Sequence, residues 1–199
     1  MRRRIGVLVA VFALVALAVF VPGASATPKV ARALTGTSAN LEVLKFKLAP
    51  SSPAIAACFP DLQARVEVRL ETDRVGHDQF DIHVRGLPPH EDFTVFLLEQ
   101  PGSPFGAAEY IGDFSTNSGG RGSGRFELIV EEAFSSTLVN GMRVRADLNH
   151  VGFWFADPAG DDACLGAGSP VTPFDGDNAA GVQVMNSANA LPGAPLPPP

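Results

Sequence analysis

The sequence predicts an all-β fold, an antiparallel β-sandwich of about eight strands with immunoglobulin-like or Greek-key connections. Three observations carry this. Several short segments alternate apolar and polar residues with period two, the mark of a strand with one buried face. Clusters of Gly, Pro, Asn and Asp separate those segments. No helix of convincing length is legible between them, which argues against alternating βαβ units.

Leu41 to Leu48 reads as an early strand. The clearest strand runs from Leu62 to Leu70, with Leu62, Ala64, Val66, Val68 and Leu70 on one face and Gln63, Arg65, Glu67 and Arg69 on the other. Phe80, Ile82 and Val84 alternate in the same way with Asp81, His83 and Arg85. The polar segment Thr72 to Asp78 joins these two strands as a hairpin loop. Phe93 to Leu98 is apolar on both faces, as expected of a strand covered on both sides. Tyr110 to Phe114 is a short strand, and Arg125 to Val130 another, entered through the glycine-rich turn Asn117 to Gly122. Met142, Val144, Ala146 and Leu148 alternate with Arg143, Arg145 and Asp147 just after the turn signal Asn140-Gly141. Val151 to Phe155 and Gly181 to Met185 complete the set. Glu131 to Val139 is the one stretch that reads as helical.

The first residues have the three parts of a secretory signal. Arg2, Arg3 and Arg4 precede an apolar run of 17 residues from Ile5 to Val21, and Ala24-Ser25-Ala26 supplies a small-residue cleavage site. Cleavage after Ala26 is expected to release a secreted, extracellular protein with no integral membrane anchor. The chain thus divides into a signal peptide at 1–26, a leader of the mature chain at 27–40, a sandwich domain at 41–187 and a disordered, proline-rich tail at 188–199. Removing the signal peptide takes 15 basic residues to 12 against 21 acidic ones, a net charge of −9. Nucleic acid and anionic lipid both require a basic footprint, so neither is the expected partner. Cys58 and Cys164 are the only cysteines, and outside the cell an even count implies a disulfide between them.

Sites of chemistry are sparse. None of His77, His83, His90 and His150 forms a His-x-His or His-Glu-x-x-His pair. The loops Asp157 to Asp162 and Asp175 to Asn178 are rich in oxygen ligands, yet neither fits the twelve-residue calcium loop and both read as turns. Ser123 in Gly120-Arg121-Gly122-Ser123-Gly124 has the wrong spacing for a nucleophile elbow, and no lysine follows to make a phosphate cradle. If Phe153 and Phe155 face inward, Trp154 faces outward, where an exposed indole would stack on a sugar or anchor a partner. Trp154 is therefore the candidate binding residue; no catalytic, metal or cofactor residue is assigned.

The segments Gly86-Leu87-Pro88-Pro89-His90, Phe93 to Leu98, Ile111 to Asn117 and the glycine turn after them share a layout with known modules. Over residues 80–130 the chain loosely resembles the extracytoplasmic domain of anti-sigma-K-type factors and the CHRD domain. The stretch Arg145 to Pro158 resembles uncharacterised secreted bacterial β-sandwich proteins. The first resemblance implies an immunoglobulin-like sandwich and no catalytic residues. Copper–zinc superoxide dismutases also place a strand before a Gly-Leu turn, but this chain lacks their His-x-His ligands, so that activity is not implied. The expected function is a non-enzymatic binding or envelope or matrix component of a bacterium, acting on a cell-wall or extracellular ligand without a cofactor. An extracellular hydrolase on carbohydrate with unassigned carboxylates, and a calcium-binding module, are the alternatives.

Overall fold

The computed structural model describes residues 42–130, 133–173, 179–187 and 195–197. The expected signal peptide and the loop Asp175 to Asn178 lie outside the described residues. Twelve strands appear in chain order: β1 (Glu42–Pro50), β2 (Gln63–Leu70), β3 (Asp78–Arg85), β4 (Asp92–Leu98), β5 (Ala108–Ser115), β6 (Arg121–Leu128), β7 (Phe134–Val139), β8 (Met142–Asp147), β9 (His150–Phe155), β10 (Thr172–Pro173), β11 (Ala179–Ala180) and β12 (Gln183–Asn186). Three short helices interrupt them: α1 (Pro53–Cys58), α2 (Thr72–Val75) and α3 (Asp162–Leu165).

Eight strands form one antiparallel sheet in the order β5-β4-β9-β12-β1-β2-β3-β6. Strand β1 joins its two halves. Glu42 to Leu48 pairs with β2, and Ala49 and Pro50 pair with Asn186 and Met185 of β12. The two edge strands meet at a bridge between Thr116 and Gly122. The all-β expectation therefore holds, and the connections are of Greek-key type, because β3 neighbours β6 while the β4–β5 hairpin lies in the other half.

One core fills the space between the halves. Phe46, Val66, Val68, Phe80 and Ile82 come from one side, and Phe93, Val95, Val151, Phe153, Phe155 and Val184 from the other. Phe93 is its aromatic centre, stacked on Phe114 at 5.2 Å and edge-on to Phe153 at 5.7 Å. Each such side chain contributes about 1.5–3 kcal/mol through burial, and suitably oriented ring pairs add about 0.5–1.5 kcal/mol.

Buried carboxylates tie the loops to this core. Asp78 is almost fully buried. Its Oδ1 accepts from the Glu71 and Thr72 N–H groups at 2.7 and 2.9 Å, and its Oδ2 from the Val130 N–H at 2.9 Å. Asp161 is also fully buried; it accepts from the Val182 N–H at 3.0 Å and from the Ser169 hydroxyl. Helix α1 starts at Ser52, whose Oγ accepts from the Ile55 N–H, with Pro53 in its first turn. Cys58 at its end lies at disulfide distance from Cys164 in α3, with Cα atoms 5.7 Å apart.

Three expectations change. Of the segment expected to be helical, Phe134 to Val139 form strand β7, a ribbon with β8 in register Val139↔Met142 to Phe134↔Asp147, while Glu131 and Glu132 lie outside the described residues. Asn140 and Gly141 both have positive φ, as a two-residue hairpin turn requires, and this turn decides the conformation on both sides of it. Strand β6 begins at Arg121, so Gly122, Ser123 and Gly124 belong to a strand and not to the turn. The proline-rich end is not free at Leu196, which is buried in the core and donates its N–H to the Asn149 carbonyl at 3.2 Å.

Candidate functional site

Antiparallel register sorts the outward side chains of β1, β2, β3 and β6 into rows, because directly opposed residues share a face. One row holds Lys47, Arg65, His83 and Ser123, each opposite the next. The row beside it holds Gln63, Arg85 and Arg121. All seven side chains are exposed, and they line a groove of about 1040 Å³. Lys47 thus stands directly opposite Arg65, and Arg85 opposite Arg121. Like charges in directly opposed positions destabilise a sheet.

On the other side of the Lys47 row the charges are balanced. Lys45 meets Glu67 at 3.0 Å, Arg69 meets Glu67 at 2.6 Å and Asp81 at 3.0 Å, and Arg125 meets Asp81 at 2.7 Å. A hydrogen bond from Lys45, aided by its charge and that of Arg69, holds the Glu67 carboxyl below its ordinary range. Glu67 and Asp81 are engaged within this network. Among the described residues no carboxylate lies within ion-pair distance of Lys47, Arg65, Arg85 or Arg121.

Two of the four cations are pre-positioned. Arg85 donates through Nε and Nη2 to Gln63 Oε1, at 3.2 and 2.6 Å. Arg121 follows a turn braced by Asn117, whose Oδ1 accepts from the Gly119 and Arg121 N–H groups. That turn requires glycine at position 120. Gly120 has φ of 64°, and a Cβ there would lie 2.1 Å from the Leu87 carbonyl oxygen. The glycine-rich segment therefore sets the course of the strand that carries Arg121.

The residues singled out in the sequence stand elsewhere. Trp154 does point away from the main core, but it is fully buried. It packs with Phe96, Leu98 and Ala180 beneath Phe105, and the Phe105 ring lies 5.1 Å away, edge-on. The β4–β5 connection folds back over it and is pinned where Gln183 Nε2 donates to the Pro101 carbonyl at 2.9 Å. The exposed-indole reading is thus corrected, because Trp154 anchors a loop and has no surface to offer a ligand.

Among the described residues no three metal-ligating side chains gather. Asp161 is committed to Ser169 and Val182, and Asp157 caps the turn after it by accepting from the Ala159 N–H. His150 Nδ1 lies 3.3 Å from Ser187 Oγ, and burial pushes the imidazole below its ordinary pKa. Ser187 is fully buried, however, and its Oγ also accepts from the Val151 N–H.

The sequence reading missed the cationic rows. The signal was present in the alternation that places Gln63, Arg65, His83 and Arg85 outward, but their convergence with Lys47 and Arg121 depends on register. Compared with known proteins, the chain matches no family model, no curated protein and no solved structure.

Proposed function

We propose that this protein is an exported, non-enzymatic binding module that holds an anionic extracellular ligand on the outer face of β1, β2, β3 and β6. One observation carries the reading: two like-charge pairs, Lys47–Arg65 and Arg85–Arg121, sit side by side with no carboxylate partner among the described residues, on a chain of net charge −6. A fold that tolerates such pairs gains stability when an anion neutralises them. The groove lining has amide and hydroxyl groups, from Gln63, Asn117, Ser115 and Ser123, and no carboxyl group. Glycoside hydrolysis ordinarily needs two carboxyl groups, so the lining suits retention better than cleavage.

Thermal unfolding with and without a soluble anionic glycan tests this, alongside retention on the same glycan immobilised. The expected outcome is a raised Tm and retention that salt reverses. In the double variant Lys47→Glu/Arg121→Glu, affinity should fall about tenfold or more. Unchanged retention in that variant would remove the assignment of the ligand to this face.

A further inference from the structure

Resting on the anion-binding reading, we infer that the ligand is a linear acidic polysaccharide that lies across the strands and spans several anionic units, not a small anion held at one point. The cations are spread out. Lys47, Arg65 and the Arg85–Arg121 pair lie on four adjacent strands and two neighbouring rows. With strands about 4.8 Å apart, the row from Lys47 to Ser123 spans roughly 14 Å. A single phosphate or carboxylate cannot reach both ends of such a row. A polymer with regularly repeated anions can meet one cation per strand.

The direction follows from the neighbouring row. Lys45, Glu67, Asp81 and Arg125 stand there in register with one another, Asp81 is buried, and both carboxylates are closed up in ion pairs. A polyanion running along β2 would pass from Arg65 onto the Glu67 carboxylate; one running across the strands meets Lys47 and Arg65 without crossing it. The chemistry of the lining favours a sugar polymer over nucleic acid. Among the lining residues there is no Phe, Tyr or Trp to give successive bases a broad stacking platform, whereas Gln63, Asn117 and Ser123 suit sugar hydroxyls.

The test is a length series on the purified wild-type protein. Galacturonate and its oligomers of two, four and eight units are titrated by calorimetry, with inorganic phosphate and a uridylate octamer as comparison ligands. Affinity should climb roughly two- to fivefold per unit up to about four units and then level off. Arg65→Glu should weaken the octamer strongly and the monomer little. Equal affinity for galacturonate and its octamer, or phosphate binding as tightly as the octamer, would overturn the polymer while leaving an anion site in place. A uridylate octamer that binds more tightly than the galacturonate octamer would overturn the sugar assignment. No binding by any member of the series would overturn both this inference and the anion-binding reading.

Discussion

Glu91 is a residue that works against its own fold. Burial raises its pKa above the ordinary 4.5, and the nearby Asp157 and Asp92 carboxylates raise it further. The folded state therefore binds the Glu91 proton more tightly than the unfolded state does. Stability contributed by this group increases as pH falls through the raised value towards 4.5, and at neutral pH the ionised group is a liability. Glu91→Gln is expected to stabilise the protein at pH 7 by a few tenths of a kcal/mol after solvent screening. Urea unfolding at pH 7 and below pH 4.5 checks this: the gain should vanish at the lower pH. Neither this nor the buried role of Asp78 is legible in the sequence. Asp78 reads there as a polar loop residue. Its buried role depends on the Val130 N–H, 52 positions further on, which no local pattern reveals.

At the scale of elements, what the alternation could reach was read well. Strands β2, β3, β4, β8 and β9 follow directly from apolar residues at every second position or from a doubly apolar run. Strand β7 was missed because Ser135, Ser136 and Thr137 provide no apolar alternation, and only its pairing with β8 makes it a strand. The alternation does not reach the first half of β6, because its inward positions there, 122 and 124, are glycines. Those glycines have a packing reason. A Cβ on Gly124 would come within 2.5 Å of the Phe126 ring, and one on Gly112 of β5 within 2.3 Å. The ring thus fills the slot between two glycines and covers the seam where β5 meets β6. Gly124→Val should overpack this slot and cost about 1–3 kcal/mol, read as a lowered urea midpoint. An unchanged midpoint would mean that the ring is not confined there.

The whole molecule couples distant parts of the chain in two ways. Cys58 and Cys164, 106 residues apart, bring α1 against α3. Closing so long a loop restricts the unfolded ensemble, so replacing both cysteines by serine should lower stability by about 2–5 kcal/mol. Denaturant titration of the variant beside the oxidised protein measures that difference; equal stability would show that the link contributes nothing. Charge is the second case. A net charge of −6 argues against polyanions only if charge is evenly spread. Here Glu67 and Asp81, in the row beside Lys47, are engaged with Lys45, Arg69 and Arg125, which leaves the cations of the neighbouring rows outside that network. Composition could not reveal this, because segregation arises only when four strands take up register.

The hand-over of β1 from β2 to β12 also sets an order of events. β1 is the first strand of the sheet in the chain and β12 the last, yet they are neighbours. Ser51 continues the contact by donating its N–H to the Val184 carbonyl at 2.9 Å. A chain that emerges amino-terminus first can assemble β1, β2 and β3 early through local hairpins. Its halves can meet at the Thr116–Gly122 bridge once β6 is made, but the β1–β12 seam cannot close until the last strand is free. Contacts of such long sequence separation form slowly. The nascent protein therefore keeps the β1 edge at Ala49 and Pro50 unpaired until β12 emerges, an interval in which that edge is open to wrong pairing.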